Sequence, residues 1–317
     1  MTRIQRIFIS KTPAAFLLKK SKHWHLPGFE GLPLYDVIRF FYHQIKARGL
    51  TERAAAISYN FIMALPPSFL FLFTLIPNLP FISRKSIKFQ LHSLIFDVIP
   101  AKGYNKSLID FVDSFIDGNK IGLLSFGLFL SLFFASNAMM GLMRSFNKDH
   151  VGFEKRKGLQ KRWIAIRLTI LIFGLLLGYL LLLIMQGALL KMMVQNNTIR
   201  QVIFYTRWIF IVLLIFSAIG FIFRYIPSVQ IRWKFASPGV ILATLLSILA
   251  SLGFSAFVNN FGRYNALYGS IGTIMMVMAL IFINSLALII GFELNVSIRS
   301  LKTHAMEREK VDLVPKK

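Results

Sequence analysis

The sequence predicts an all-α membrane protein with six transmembrane helices and with both termini on the inner side. Of its 317 residues, 56% are hydrophobic and only 16% are charged, whereas a soluble domain is about a quarter charged. Five long stretches contain no charged residue, and a sixth is interrupted by Arg207 alone. Each stretch exceeds the roughly 20 apolar residues that cross a bilayer as a helix. None shows the polar stripe of a buried soluble helix.

These stretches divide the chain into a basic cytoplasmic segment (1–33), a transmembrane domain (34–300) and a polar cytoplasmic tail (301–317). We expect the tail to be frayed from Lys302 onward, because it is polar throughout. The predicted spans cover about 54–76, 121–143, 168–190, 203–223, 236–258 and 271–292.

Two further segments have amphipathic helical periodicity. Residues 34–50 place Val37, Ile38, Phe41 and Ile45 on one face, which indicates an interfacial helix before the first span. Residues 77–120 are long for a connection, and their apolar residues recur at helical spacing. We expect two short amphipathic helices here, packed over the outer ends of the spans.

The strong positive charge has a topological explanation. The formal net charge is +24, and 27 of the 37 Lys and Arg residues fall on the predicted inner side. This asymmetry is the positive-inside signal, and it favours anionic inner-leaflet lipids as partners rather than nucleic acid. Cysteine is absent, so the chain has no disulfide framework and no thiolate ligand. No cofactor or metal site is predicted, and an oligomer is left open.

Specific residues resemble a known family. The first span opens with Thr-Glu-Arg-Ala-Ala-Ala-Ile-Ser-Tyr (51–59), and the last opens with Tyr-Gly-Ser-Ile-Gly (268–272) and closes with Gly-Phe-Glu-Leu-Asn (291–295). Together these elements resemble the YihY/BrkB family of bacterial inner-membrane proteins over roughly 35–300. The Pro66-Pro67 pair departs from it, since the family more often has a single proline. The matching motif positions include Tyr59, Tyr268, Gly269 and Asn295.

The resemblance implies a multi-pass protein of the bacterial inner membrane, and the family has carried two functional labels. One is serum-resistance factor or transporter, and the other is a tRNA-processing ribonuclease (ribonuclease BN), which looks misapplied. Phosphodiester hydrolysis needs clustered carboxylates or histidines, or a paired acid and base. Here the acids lie outside the spans except Glu293, and the six histidines lack metal-ligand spacing except in His23-Trp24-His25. The sequence therefore predicts no enzyme.

Two features inside the spans have both a structural and a functional interpretation. Pro66 and Pro67 lie halfway along the first span and should kink or break it. Such a break either marks a substrate site or is a packing kink. Arg207 lies about one turn inside the fourth span, where it either extends to the headgroups or binds an anionic substrate or lipid phosphate.

Arg53 begins the first span and Glu293 ends the last, at the same predicted side of the membrane. We expect the two to pair and lock the first span to the last. A gating or proton-relay role is the alternative.

The remaining polar residues are less specific. Asn60, Asn137 and Asn284 lie inside spans, where interhelical hydrogen bonds are the ordinary role and a shared polar path is the alternative. Asp110, Asp113 and Asp117 share one helix face, which indicates a solvated face or, as the minor alternative, a divalent-ion site.

Three functions follow, in order of preference. The first is a transporter or flippase-like protein that handles a lipid or another amphiphilic anion. The second is a non-transporting envelope assembly or structural protein, for which the spans should pack without a polar cavity. A ribonuclease is third and disfavoured.

Overall fold

The computed structural model describes residues 20–22, 24–47, 49–75, 84–98, 105–117, 121–147, 156–193, 197–229, 232–260 and 264–312. This part of the chain contains nine long helices. They are α1 (Leu34–Ala47), α2 (Leu50–Leu75), α3 (Arg84–Val98), α4 (Asn105–Asp117), α5 (Ile121–Phe146), α6 (Gly158–Met193), α7 (Asn197–Tyr225), α8 (Pro238–Asn260) and α9 (Tyr264–Asp312).

Six of these helices are long and apolar enough to cross a membrane, namely α2, α5, α6, α7, α8 and α9. The prediction of an all-α fold with six membrane-spanning helices is therefore confirmed, with one predicted span in each helix, whereas the inner location of both termini stays a prediction. Each span packs on the next in chain order, and α9 packs back on α2 and closes the ring. Half of the apolar window of α5 is buried, against 22–28% in the other five spans, so α5 is the most enclosed helix.

All six spans share one hydrophobic core at one end of the bundle. We call this the basal end and define it by Ala54, Phe146, Ile226, Val240 and Phe292, all of which belong to this core. The core draws residues from the start of α2, α6 and α8 and from the ends of α5 and α7, together with the middle of α9. Because every span contributes, the basal end is held as a single packed unit.

Toward the opposite, distal end, the described residues form two smaller clusters. Phe71, Leu72, Leu91, Val112 and Leu180 form one cluster, in which α3 and α4 cover the ends of α2 and α6. Among the described residues, Val258 with Phe254 and Met276 forms a different cluster between α8 and α9. The short helices predicted within 77–120 are thus present, and their described residues pack on α2 and α6.

Of the kink or break predicted at Pro66-Pro67, the break is wrong, because α2 continues as one helix from Leu50 to Leu75. The prolines are adjacent, so the two missing backbone donors fall within a single turn. Ser68 Oγ donates to the carbonyl of Ala64 at 2.7 Å in this region. Extensive packing of α2 against α5 supports the helix on both sides of the prolines.

The expectation of a frayed tail from Lys302 is also wrong, since α9 continues to Asp312. Lys302 Nζ lies 2.7 Å from Glu30 Oε2. One turn earlier, Ile298 packs with Phe29 and Val37 in a small cluster. The fully buried Val37 also shows that part of the apolar face of α1 is covered by α9.

Candidate functional site at the basal end

Five consecutive residues of α9, Gly291 to Asn295, join most of the helices at the basal end. Gly291 faces Gly239 of α8, and a Cβ on either glycine would overlap the carbonyl oxygen of the other. The two backbones therefore approach as closely as small residues allow, which is a common device in membrane helix packing. Leu294 packs on the other side, in the cluster with Phe29 and Val37.

Phe292 is fully buried and is the aromatic centre of this end. Its ring stacks on Phe146 of α5 with centroids 4.0 Å apart and planes 14° apart. Phe223 of α7 meets it edge-on at 6.1 Å, and Trp233 lies 5.5 Å away. Aromatic pairs at these separations add to the stabilisation from buried area. The stack closes the middle of the bundle at the basal end.

Arg53 and Glu293 form a buried ion pair, so the predicted contact is confirmed. Arg53 Nη1 lies 2.5 Å from Glu293 Oε1, and the two side chains are 10% and 0% exposed. Arg53 Nε also donates to the carbonyl of Ser145 at the end of α5, at 3.1 Å. One guanidinium thus joins α2 to both α5 and α9. Whether the pair is only structural or also a gate stays a prediction.

Asn295 caps a helix to which it does not belong. Its Oδ1 accepts from the backbone N–H of Gly239 at 2.8 Å, and its Nδ2 donates to Ser237 Oγ at 2.8 Å. The first N–H groups of a helix have no partner within that helix, and a side-chain oxygen normally satisfies them. Asn295 supplies this oxygen to α8 from α9. The asparagine of the sequence motif therefore has a structural role, which is to cap the neighbouring helix.

We expect Asn295→Ala to lower the free energy of unfolding by about 2–3 kcal/mol, because it leaves two buried polar groups without their partner. Asn284→Ala is the matched control. Asn284 Nδ2 contacts Ser251 Oγ at 3.4 Å and its own helix at Leu280 O, so its interhelical bond should contribute only about 0.6 kcal/mol. Denaturant unfolding in mixed micelles measures both, and equal losses would contradict the capping role.

Arg156 is a basal residue whose role the sequence analysis missed. Its guanidinium donates to the carbonyls of Tyr225, Ile226 and Pro227 at 3.3, 3.0 and 2.8 Å, just where α7 ends. A cation at this position satisfies carbonyls left unpaired and opposes the negative end of the helix dipole. In the sequence, Arg156 stands inside the basic run 155–157, which gives no sign that it differs from its neighbours.

The polar residues expected to share a path lie in different places. Asn60 Nδ2 donates to Ala56 O of its own helix at 2.7 Å. Asn137 accepts from Arg162 Nη1 of α6 at 2.5 Å. Asn284 lies between α8 and α9. Asn60 is thus used within its own helix, Asn137 and Asn284 bond to two different neighbouring helices, and the three are not brought together.

Other predicted residues are only partly covered by the structure. The helices include Arg207, Tyr268, Gly269 and Asp117, whose side chains lie outside the described residues. Tyr59 is 63% exposed. Asp113 contacts Lys88 and His92 of α3 at 3.6 and 2.9 Å. Within the described part of the chain, no three acidic or histidine side chains are grouped closely enough to hold a metal.

The fold and the basal site define a multi-pass helical membrane protein of the bacterial inner membrane. Residues 41–312 match the family described as virulence factor BrkB, and the chain belongs to that family. This confirms the resemblance drawn from the motifs.

Named relatives agree with this assignment. The chain is 29% identical over 261 residues to a putative ribonuclease-like protein YfkH of Bacillus subtilis, covering 79% of this chain and 90% of that protein. It is 23% identical over 294 residues to a UPF0761 membrane protein of Tolumonas auensis, covering 90% and 92%. No solved structure matches.

Proposed function

We propose that the protein moves a lipid or another amphiphilic anion across the inner membrane, as a transporter or flippase. The observation that carries this proposal is an apolar groove in the side of one span, next to a positively charged residue of the same helix. One core joins all six spans at the basal end. In this proposal the closed basal end is the fixed part of an alternating-access cycle, and the distal end is the part that opens.

In this proposal the cleft lies between the α2, α5 and α6 side and the α8 and α9 side of the ring, and it opens distally. Among the described residues, α3 and α4 pack on the first side. A substrate with acyl chains could therefore enter laterally from the bilayer, without an aqueous channel along the whole bundle.

An apolar groove on α7 supports an amphiphilic substrate. It has a volume of about 410 Å³ and is lined by Trp208, Ile209, Val212, Leu213 and Phe216. Arg207 directly precedes the first lining residue in the chain. A cation next to an apolar groove within a span suits an anionic lipid, because the cation can bind the headgroup and the groove can bind the acyl chains.

The test is lipid translocation in proteoliposomes. We expect the wild-type chain to move a fluorescent phosphatidylglycerol between leaflets faster than protein-free vesicles do. Arg207→Ala should slow this movement about tenfold or more, since a charge-assisted hydrogen bond is worth about 1.5–3 kcal/mol. Arg232→Ala is the matched control, because Arg232 is exposed and stacks on Tyr225 near the basal end. Folded wild-type protein that moves no lipid would contradict the proposal.

A second function, a non-transporting envelope assembly or structural protein, is favoured by one observation. Asn60, Asn137 and Asn284 all make local hydrogen bonds, either within their own helix or to one neighbouring helix, as expected for packing residues. Folded protein that moves no lipid in the same vesicles would favour this non-transporting function. The ribonuclease function stays third, and RNA cleavage by the purified protein would be needed to support it.

A further inference from the structure

Arg162 places a positive charge near the start of a candidate membrane span, at the boundary of α5 and α6. It is the fifth residue of α6 and lies inside the apolar span Gly158–Leu182. Its Nη1 contacts Asn137 Oδ1 at 2.5 Å and Met140 Sδ at 3.4 Å. Asn137 lies nine residues before the end of α5, which is roughly 14 Å along that helix. The guanidinium therefore extends from the basal end toward the hydrocarbon.

The described surroundings of Arg162 are neutral. Its guanidinium carbon lies 5.1 Å from the ring centre of Phe133, and no carboxylate of the described residues forms an ion pair with it. Both described hydrogen bonds of the side chain use Nη1, which leaves the other nitrogens of the fork for a further acceptor. A guanidinium set against apolar side chains without a counter-charge is costly, so an anion is the expected partner.

The surface beside Arg162 fits a lipid rather than a free anion. Trp163, Arg167 and Ile170 lie on one stripe of α6, with Trp163 56% and Ile170 54% exposed. The Arg167 guanidinium lies 4.9 Å from the Trp163 ring centre. Tryptophan with a cation is typical of the headgroup level, and the exposed Phe133 and Ile170 continue into the acyl region.

We propose that the α5–α6 boundary binds the phosphate of an anionic membrane phospholipid, with Arg162 as the main contact and Arg167 and Trp163 at the headgroup. The site is on the outside of the ring, away from the cleft of the proposed transport function. It therefore holds a resident lipid that stabilises the bundle, whether or not the protein transports.

The test compares how lipids raise the thermal unfolding midpoint of the full-length chain in micelles. Phosphatidylglycerol should raise the midpoint more than phosphatidylcholine does. Arg162→Gln should weaken the apparent affinity for phosphatidylglycerol about tenfold, because a charged hydrogen-bond partner is lost. Asn137→Ala should retain the affinity, since it leaves the cation in place. Arg232→Gln is the control at another stacked basal arginine and should also retain it.

The test also includes a replacement variant and a comparison with a free anion. If Arg162→Gln does not fold, Arg167→Gln is used instead and should weaken the affinity about threefold. If the folded Arg162→Gln variant, or the Arg167→Gln variant used in its place, binds phosphatidylglycerol as tightly as the wild type does, the proposal is overturned. Inorganic phosphate that raises the midpoint as much as phosphatidylglycerol does would also overturn it, because the site would then bind a free anion.

Discussion

Replacing Glu293 with alanine is expected to lower the free energy of unfolding by about 3–5 kcal/mol, because it leaves the Arg53 guanidinium buried without its carboxylate. Arg53→Ala should cost a similar amount for the converse reason. The pair is almost completely buried, so water cannot replace the missing partner. Denaturant unfolding in mixed micelles measures both losses.

Glu52→Ala is the matched control, since Glu52 precedes Arg53 but is exposed, and its loss should change stability by less than about 0.5 kcal/mol. The double variant Arg53→Ala/Glu293→Ala should be less destabilised than the sum of the single variants, because neither charge is then left alone. Strictly additive losses would show that the two side chains do not interact energetically.

Alanine at Gly239 or at Gly291 is expected to destabilise the bundle by about 3 kcal/mol or more, because each new Cβ would overlap backbone of the other helix. To relieve the overlap, α8 must move away from α9. The contacts of Asn295 with Ser237 and with the N–H of residue 239 would then lengthen. The loss therefore combines overpacking with a weakened helix cap.

Gly253→Ala is the control within the same helix, since nothing lies within 4 Å of a Cβ built there. It should be neutral or stabilise α8 by about 0.5–1 kcal/mol, as alanine does in a helix interior. Thermal unfolding in detergent distinguishes the three variants. If Gly291→Ala unfolds at the wild-type temperature, then α8 and α9 do not pack as closely as the structure shows.

The six spans could be predicted because hydrocarbon imposes a simple rule on sequence. A helix that crosses the bilayer must be apolar over about 20 residues, and this rule is visible without any tertiary information. The Arg53–Glu293 pair was predictable for the same reason. Both residues stand at span ends on the same predicted side, where few other partners for a buried charge exist.

Helix ends were harder to predict than spans, because polar residues can continue a helix when protein contacts support it. The helix α6 starts at Gly158, although the charge-free stretch starts at residue 168, so Arg162 was counted with a loop. The helix α9 likewise continues past residue 301, where Lys302 contacts Glu30. The pattern of apolar residues contains no information about either contact.

The roles of Asn295 and Arg156 depend on tertiary neighbours. A sequence motif can indicate that Asn295 is special, but its hydrogen-bond partner is a helix start 56 residues away. Arg156 caps a helix that ends 69 residues later in the chain. Only the close approach of α8 to α9, and of the α5–α6 connection to α7, creates these sites.

The proposed transport cycle keeps the basal end as one closed unit and opens the distal end between two groups of helices. Because the chain has no cysteine, spin labels can be placed at chosen sites without background. Leu182→Cys with Leu252→Cys reports the distal cleft, and Leu159→Cys with Ile241→Cys reports the basal end; all four side chains are more than half exposed. Double electron–electron resonance in nanodiscs should give a broad distal distance distribution that shifts with the lipid added, and a narrow basal distribution that does not. Two narrow distributions, unchanged by any lipid, would contradict the account.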